Sequence, residues 1–202
     1  MTLHEICENA MHAGRGIDLS GCDYGPHLRT QQHLGTQPYY YFLAGLVASL
    51  GMTRILEIGT SYGGSMMAME RGLGSATAGV QLVTVDKVDI AGAPLIARPR
   101  VVRLHGDSLA PATLKRVVSQ FDAAIGLLYI DSKHSREHVL GNIALYGKAM
   151  RPRFVVLDDI HLNGEMAAVW AELAAAAGAR AFDASQIADR ACGFGVLQYD
   201  GG

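Results

Sequence analysis

No run of basic residues interrupts this sequence. Its 17 Lys and Arg stand against 19 Asp and Glu, leaving a formal net charge of −2 over 202 residues. No cluster of Lys and Arg exceeds a pair, so an electrostatic footprint for nucleic acid or an acidic membrane surface is absent. Cysteine is scarce. Cys7, Cys22 and Cys192 are odd in number, far apart and form no C-x-x-C. A disulfide framework or thiolate zinc site is therefore not expected, and the three read as small buried hydrophobes. Long apolar runs are missing too: each candidate is broken by Gly or charge well short of a membrane span. Glu5 and Glu8 lie where a signal peptide would be apolar. There is no repeat, low-complexity tract or Pro/Ser-rich linker. These absences predict a cytoplasmic enzyme with neither nucleic-acid nor membrane partner.

Half of the residues are apolar and 18% are charged. That is a globular composition, and a chain of this length buries a sizeable core. We read residues 1–202 as one domain: an N-terminal helical cap over 1–50 and an α/β core over 51–202. Strands are predicted at Arg54–Ile58, Leu82–Val85, Arg100–Leu104, Gly126–Ile130 and Phe154–Leu157, then Arg180–Phe182 and Gly195–Tyr199. Their apolar runs are continuous instead of alternating, the mark of strands buried on both faces. Between them, helices are predicted at Tyr39–Leu50, Ser65–Gly72, Pro111–Phe121, Ser135–Met150 and Glu165–Ala177, with Ser108 and Ser135 as N-caps. Alternation of this kind gives a mostly parallel, Rossmann-like sheet with helices on both faces.

Ligands of such sheets sit beyond the carboxyl ends of the strands, and there the sequence places Glu57, Asp86, Asp107, Asp131, Asp158 and Asp159. The first strand runs into L-E-I-G-T-S-Y-G-G-S, Leu56 to Ser65. Gly59 permits a tight turn. Gly63 and Gly64 admit a ligand to the backbone as a helix begins, and that helix end offers free N–H groups to an anion. A dinucleotide fingerprint needs Gly where Ser61 stands. Asp86, at the end of the second strand, is placed to accept both hydroxyls of a ribose, which fits NAD and S-adenosylmethionine alike. Gly106-Asp107-Ser108 follows the third strand and fits either adenine contact or helix capping.

Beyond the fourth and fifth strands lie Y-I-D-S-K-H-S-R-E-H (129–138) and V-V-L-D-D-I-H (155–161). Converging carboxylates repel unless a cation neutralises them. Mg²⁺, with oxygen ligands, is the expected answer at Asp131, Asp158 and Asp159. His134 is suited to take a proton from a hydroxyl, and Lys133 competes for that role. Asp131, His134 and His138 also fit a zinc set, although the helix would carry His138 away. His161 is a candidate supporting residue. His4, His12, His27, His33 and His105 carry no spacing signal.

The acidic residue two places before G-x-x-x-G resembles motif I of class I S-adenosylmethionine-dependent methyltransferases. I-D-x-x-H-x-x-x-x-V-L-x-N followed by D-D is similar to the metal-dependent O-methyltransferases. That group includes catechol O-methyltransferase, the macrolide-sugar O-methyltransferases and the cephalosporin-hydroxylase-like family. The likeness covers about Ile55 to Glu165. It implies S-adenosylmethionine held by Glu57, Gly59, Ser61, Gly63, Gly64, Ser65, Asp86, Asp107, Ser108 and Asp131. It also implies Mg²⁺ on Asp131, Asp158 and Asp159, with His134 as the base. Relatives commonly carry D-G-x-H or D-A-x-H, whereas Ser132 and Lys133 stand here. Chain length and the aromatic cap are most similar to bacterial sugar O-methyltransferases. A small hydroxyl acceptor follows, a saccharide such as a methylated mannoside, and so does a homodimer. Tyr39, Tyr40, Tyr41, Trp170 and the loop around His27 are the expected acceptor rim. A catechol-type acceptor is the alternative, with a nicotinamide oxidoreductase or a non-catalytic binding protein behind it.

Overall fold

The fold was obtained as a computed structural model, and the structure describes residues 1–23, 36–88 and 94–199. Helix α1 (Leu3–Gly14) begins in a capping box in which Thr2 and Glu5 satisfy each other's backbone N–H groups. Helix α2 (Pro38–Leu50) starts on a proline at its first position, where no N–H is needed. The core then alternates: β1 (Arg54–Ile58), α3 (Gly64–Gly72), β2 (Gln81–Asp86), β3 (Val101–His105), α4 (Pro111–Val118), β4 (Leu127–Ile130), α5 (Arg136–Met150), β5 (Phe154–Asp158) and α6 (Gly164–Ala177). β6 (Ala181–Asp183) and β7 (Phe194–Gln198) close the chain.

The seven strands lie in the order β3-β2-β1-β4-β5-β7-β6. The first five run parallel, and β7 is antiparallel to both of its neighbours. The predicted Rossmann-like sheet is therefore present, and its strand order reverses between β1 and β4. Each strand divides its side chains between two cores. Ile55, Leu127, Tyr129, Phe154, Val156 and Phe194 pack with α1, α2 and α3. Leu56, Ile58, Val83, Leu128, Val155 and Leu157 pack with α4, α5 and α6. Every other residue of a strand faces the same layer, so two covered faces require an unbroken apolar run. Cys7 and Cys22 are buried within the first core.

One capping expectation is corrected and the other holds in position. Ala110, not Ser108, is the N-cap of α4, because Pro111 takes the first helical position. Ser135 occupies the N-cap of α5, but its side chain makes no capping bond.

Candidate active site

The turn between β1 and α3 is built on backbone conformations that most side chains avoid. Gly59 has φ 103° and Gly63 has φ 90°. A Cβ at Gly59 would strike the carbonyl oxygen of Asp131, on the neighbouring turn after β4. Ser61 holds φ 44°, and Asp86 anchors it there. One Asp86 oxygen accepts from the N–H groups of Thr60 (2.8 Å) and Ser61 (2.9 Å), and the other from Val88 N–H (2.9 Å).

Beneath the turn, Glu57 is fully buried. Ser65 Oγ donates to one of its oxygens (2.5 Å) and Thr84 Oγ1 to the other (2.6 Å). Burial pushes its pKa up to about 8, against the pull of those two hydroxyls. Glu57 therefore holds the turn from below and lines neither cleft above it.

Two small clefts flank the turn. One, of about 190 Å³, is lined by Tyr40, Gly59 to Ser65 and Asp131. The other, of about 280 Å³, is lined by Asp86, Lys87, Gly106, Ser108, Asp131, Lys133 and His138, among others. Asp131 borders both. Of the residues expected to hold a cofactor, Gly59, Ser61, Gly63, Gly64, Ser65, Asp86, Ser108 and Asp131 thus face one or both clefts. Ser108 Oγ is buried without a partner. Asp107 lines neither cleft: it pairs with Lys87 at 2.8 Å and caps the N–H of Leu109.

The carboxylate rim assembles, but with a cation of its own. Asp158 is 1% exposed at the end of β5, and Arg190 grips it through Nε (2.9 Å) and Nη2 (2.7 Å). Arg190 Nη2 also donates to Asp159 Oδ1 at 2.9 Å. Burial and the charge of Asp131 push the Asp158 carboxyl upward, and Arg190 opposes them. Arg190 itself is held charged above its ordinary range, since these carboxylates outweigh its burial. Its guanidinium lies 4.7 Å from the ring centre of Tyr39.

His134 completes the rim. Its Nε2 stands 3.4 Å from Asp159 Oδ2 and 3.7 Å from Asp131 Oδ1, buried and without a hydrogen bond. Burial works against its charged form. Asp131 and Asp159 outweigh that and hold its pKa above the usual value.

The expected Mg²⁺ set of Asp131, Asp158 and Asp159 does not fit a divalent ion in this arrangement. Both oxygens of Asp158 and one of Asp159 accept from guanidinium N–H groups, so a dication here would have to sit against a fixed positive charge. Among the described residues no three His, Cys, Asp or Glu side chains are grouped to hold a metal. The zinc alternative fails on the same ground: His138 turns away and bonds Ser132 Oγ at 2.9 Å. Lys133 is exposed and borders the 280 Å³ cleft. His161 pairs with Asp183 at 2.7 Å.

The aromatic rim is mostly core. Tyr39 and Tyr40 are 1% and 2% exposed. Trp170 packs against Gly195 in the α4–α6 core, because that glycine leaves room for its ring. Tyr40 alone of this set reaches a cleft beside the glycine turn, with its hydroxyl against Gly64. Tyr41 lines a separate 490 Å³ hollow beside Met11 and Arg15. His27 falls outside the described residues. Arg190 is the residue that sequence reasoning missed, since a single Arg in a loop 31 residues beyond Asp159 carries no motif.

A family model described as rhamnosyl O-methyltransferase/CmcI matches residues 42–187. No curated protein matches the chain. Among solved structures, the chain is similar to the O-methyltransferase TomG of Streptomyces achromogenes, solved with S-adenosylmethionine. Identity is 18%, over 96% of this chain and 89% of that one, with a TM-score of 0.62. An O-methyltransferase of Bacillus cereus, solved with S-adenosylhomocysteine, shares 19% identity over 96% and 90%, with a TM-score of 0.56. These likenesses concern the fold. The MycE methyltransferase of the mycinamycin pathway, solved with Mg and S-adenosylhomocysteine, shares 21% identity over 54% of this chain, with a TM-score of 0.45. The chain spans 28% of its length.

Proposed function

The chain belongs to the rhamnosyl O-methyltransferase/CmcI family, and on that premise we propose that it is an S-adenosylmethionine-dependent O-methyltransferase that methylates a hydroxyl of a small saccharide with His134 as the base. The observation that carries this reading is the position of His134 Nε2: buried, unbonded and 3.7 Å from Asp131, the residue bordering both clefts. In this reading the amino-acid end of the cofactor occupies the cleft beside Gly63 and Tyr40. The ribose meets Asp86, and the adenine meets Ser108, whose hydroxyl lacks a partner.

The acceptor oxygen attacks the methyl carbon as the carbon–sulfur bond breaks. Its proton passes to His134 Nε2, and S-adenosylhomocysteine leaves. Alignment of the two reactants by the rigid turn supplies much of the rate. The divalent ion expected from sequence is not part of this reading, because Arg190 holds two of its three carboxylates. We place the reaction in a cytoplasmic homodimer with neither nucleic-acid nor membrane partner. No helix among the described residues is long and apolar enough to cross a membrane.

Transfer of a labelled methyl group from S-adenosylmethionine to a panel of acceptors tests the reading. Partly methylated mannosides and other saccharides are expected to be labelled, and catechols are not. Labelling of catechols alone would replace the saccharide with the alternative acceptor. Calorimetry with NADH in place of S-adenosylhomocysteine is expected to show no binding.

A further inference from the structure

We propose that Arg190 is the resident cation of the carboxylate rim, holding the position that related chemistry gives to a divalent metal, and that methyl transfer here proceeds without one. The proposal rests on the methyltransferase reading above and deepens it.

Its first support is the completeness of the grip. The planar guanidinium meets Asp158 with two parallel hydrogen bonds, the geometry in which Arg surpasses Lys, and reaches Asp159 with a third contact. The second is that Arg190 is placed by its backbone. Its N–H donates to the Ser185 carbonyl at 2.9 Å, and its own carbonyl accepts from Gly193 at 3.0 Å. The loop from β6 to β7 is therefore pinned on both sides of the residue. The third is the buried Tyr39 ring, whose centre lies 4.7 Å behind the guanidinium. A dication entering here would have to strip Asp158 from its partner and then sit beside the displaced positive charge. Arg190 acts on the reaction as a positioning residue: it fixes Asp159 Oδ1, leaving Asp159 Oδ2 turned toward His134.

Titration of the intact chain with Mn²⁺, read by electron paramagnetic resonance, tests the proposal alongside methyl transfer in EDTA or in MgCl₂. Wild type is expected to leave Mn²⁺ free up to millimolar concentration and to change turnover less than twofold in EDTA. Arg190→Met is expected to lose at least tenfold in turnover and to gain a Mn²⁺ site, an outcome that loss of structural support alone would not produce. Arg190→Lys, which keeps the charge but not the fork, should fall between them. Stoichiometric Mn²⁺ binding by wild type that Asp158→Asn removes would overturn the proposal. So would turnover abolished by EDTA and restored by Mg²⁺. If Arg190→Met fails to fold, the wild-type titration decides. If no acceptor is methylated under any condition, the functional reading fails while the Mn²⁺ titration still judges Arg190.

Discussion

The glycine turn and the carboxylate rim lie side by side at the ends of β1 and β4, and they solve opposite problems. The turn must hold a backbone that most side chains avoid, so its side chains serve the backbone: Asp86 ties Thr60 and Ser61 from above, and Glu57 braces Ser65 from below. The rim must keep charges together, so its side chains serve one another through Arg190 and His134. One region is a conformation held by hydrogen bonds. The other is an electrostatic balance held by a salt bridge. The first should fail through geometry and the second through charge.

The largest expected effect breaks both regions at once. Gly59→Ala puts a Cβ into the Asp131 carbonyl at a φ that Ala avoids. A loss of about 3 kcal/mol or more in stability is expected, together with loss of S-adenosylhomocysteine binding. Thermal unfolding and calorimetry would show it, and near-wild-type values would mean that the turns can separate.

Next, His134→Ala should strike only the rim. Turnover should fall by about 100- to 10,000-fold, while S-adenosylhomocysteine affinity stays within about threefold, under half the free energy of a tenfold change. In wild type the rate should climb with pH through a value above the ordinary His range near 6.5, because only neutral His134 accepts the proton. A flat wild-type profile, or full turnover in the variant, would remove His134 as the base.

Asp86→Asn should strike only the turn. It weakens the tie to two N–H groups and the proposed ribose contact, and roughly a tenfold to hundredfold loss of S-adenosylhomocysteine affinity is expected by calorimetry. Turnover at saturating cofactor should stay near wild type.

The smallest effect belongs to Glu57→Gln. With its pKa raised to about 8 by burial, Glu57 keeps its proton in the folded chain to higher pH than in the unfolded one. The stabilisation from that proton is complete below the ordinary carboxyl range and is lost as pH rises through about 8. Melting temperatures taken from pH 5 to 9 should fall by roughly ten degrees in wild type and stay flatter in Glu57→Gln, which at neutral pH changes least. Parallel curves would mean Glu57 is ionised when folded.

Sequence reading reached the turn more fully than the rim because the two are written at different ranges. Gly59, Ser61, Gly63 and Gly64 are contiguous, so the demands of a strand-to-helix turn can be read from their order. The strands were legible for a similar reason: Ile55 and Leu56 face opposite cores, and only an unbroken apolar run satisfies both. Asp131, Asp158 and Asp159 were legible as strand-end carboxylates. What neutralises them was not, because Arg190 arrives from the loop before β7, and only the sheet order sets that loop beside β5. Trp170 and Tyr39 misled for the converse reason. An aromatic residue has the same sequence signature whether it lines a pocket or fills a core, and Gly195 decides the matter for Trp170 from 25 positions away.

Gly59 and the Asp131 carbonyl leave no room between them for a single methyl group. The spacing of glycine turn to rim is thus a fixed gauge, set by backbone and indifferent to most side-chain change. A change of side chain elsewhere can alter what meets these two turns while the distance between their backbones travels unchanged from one variant to the next.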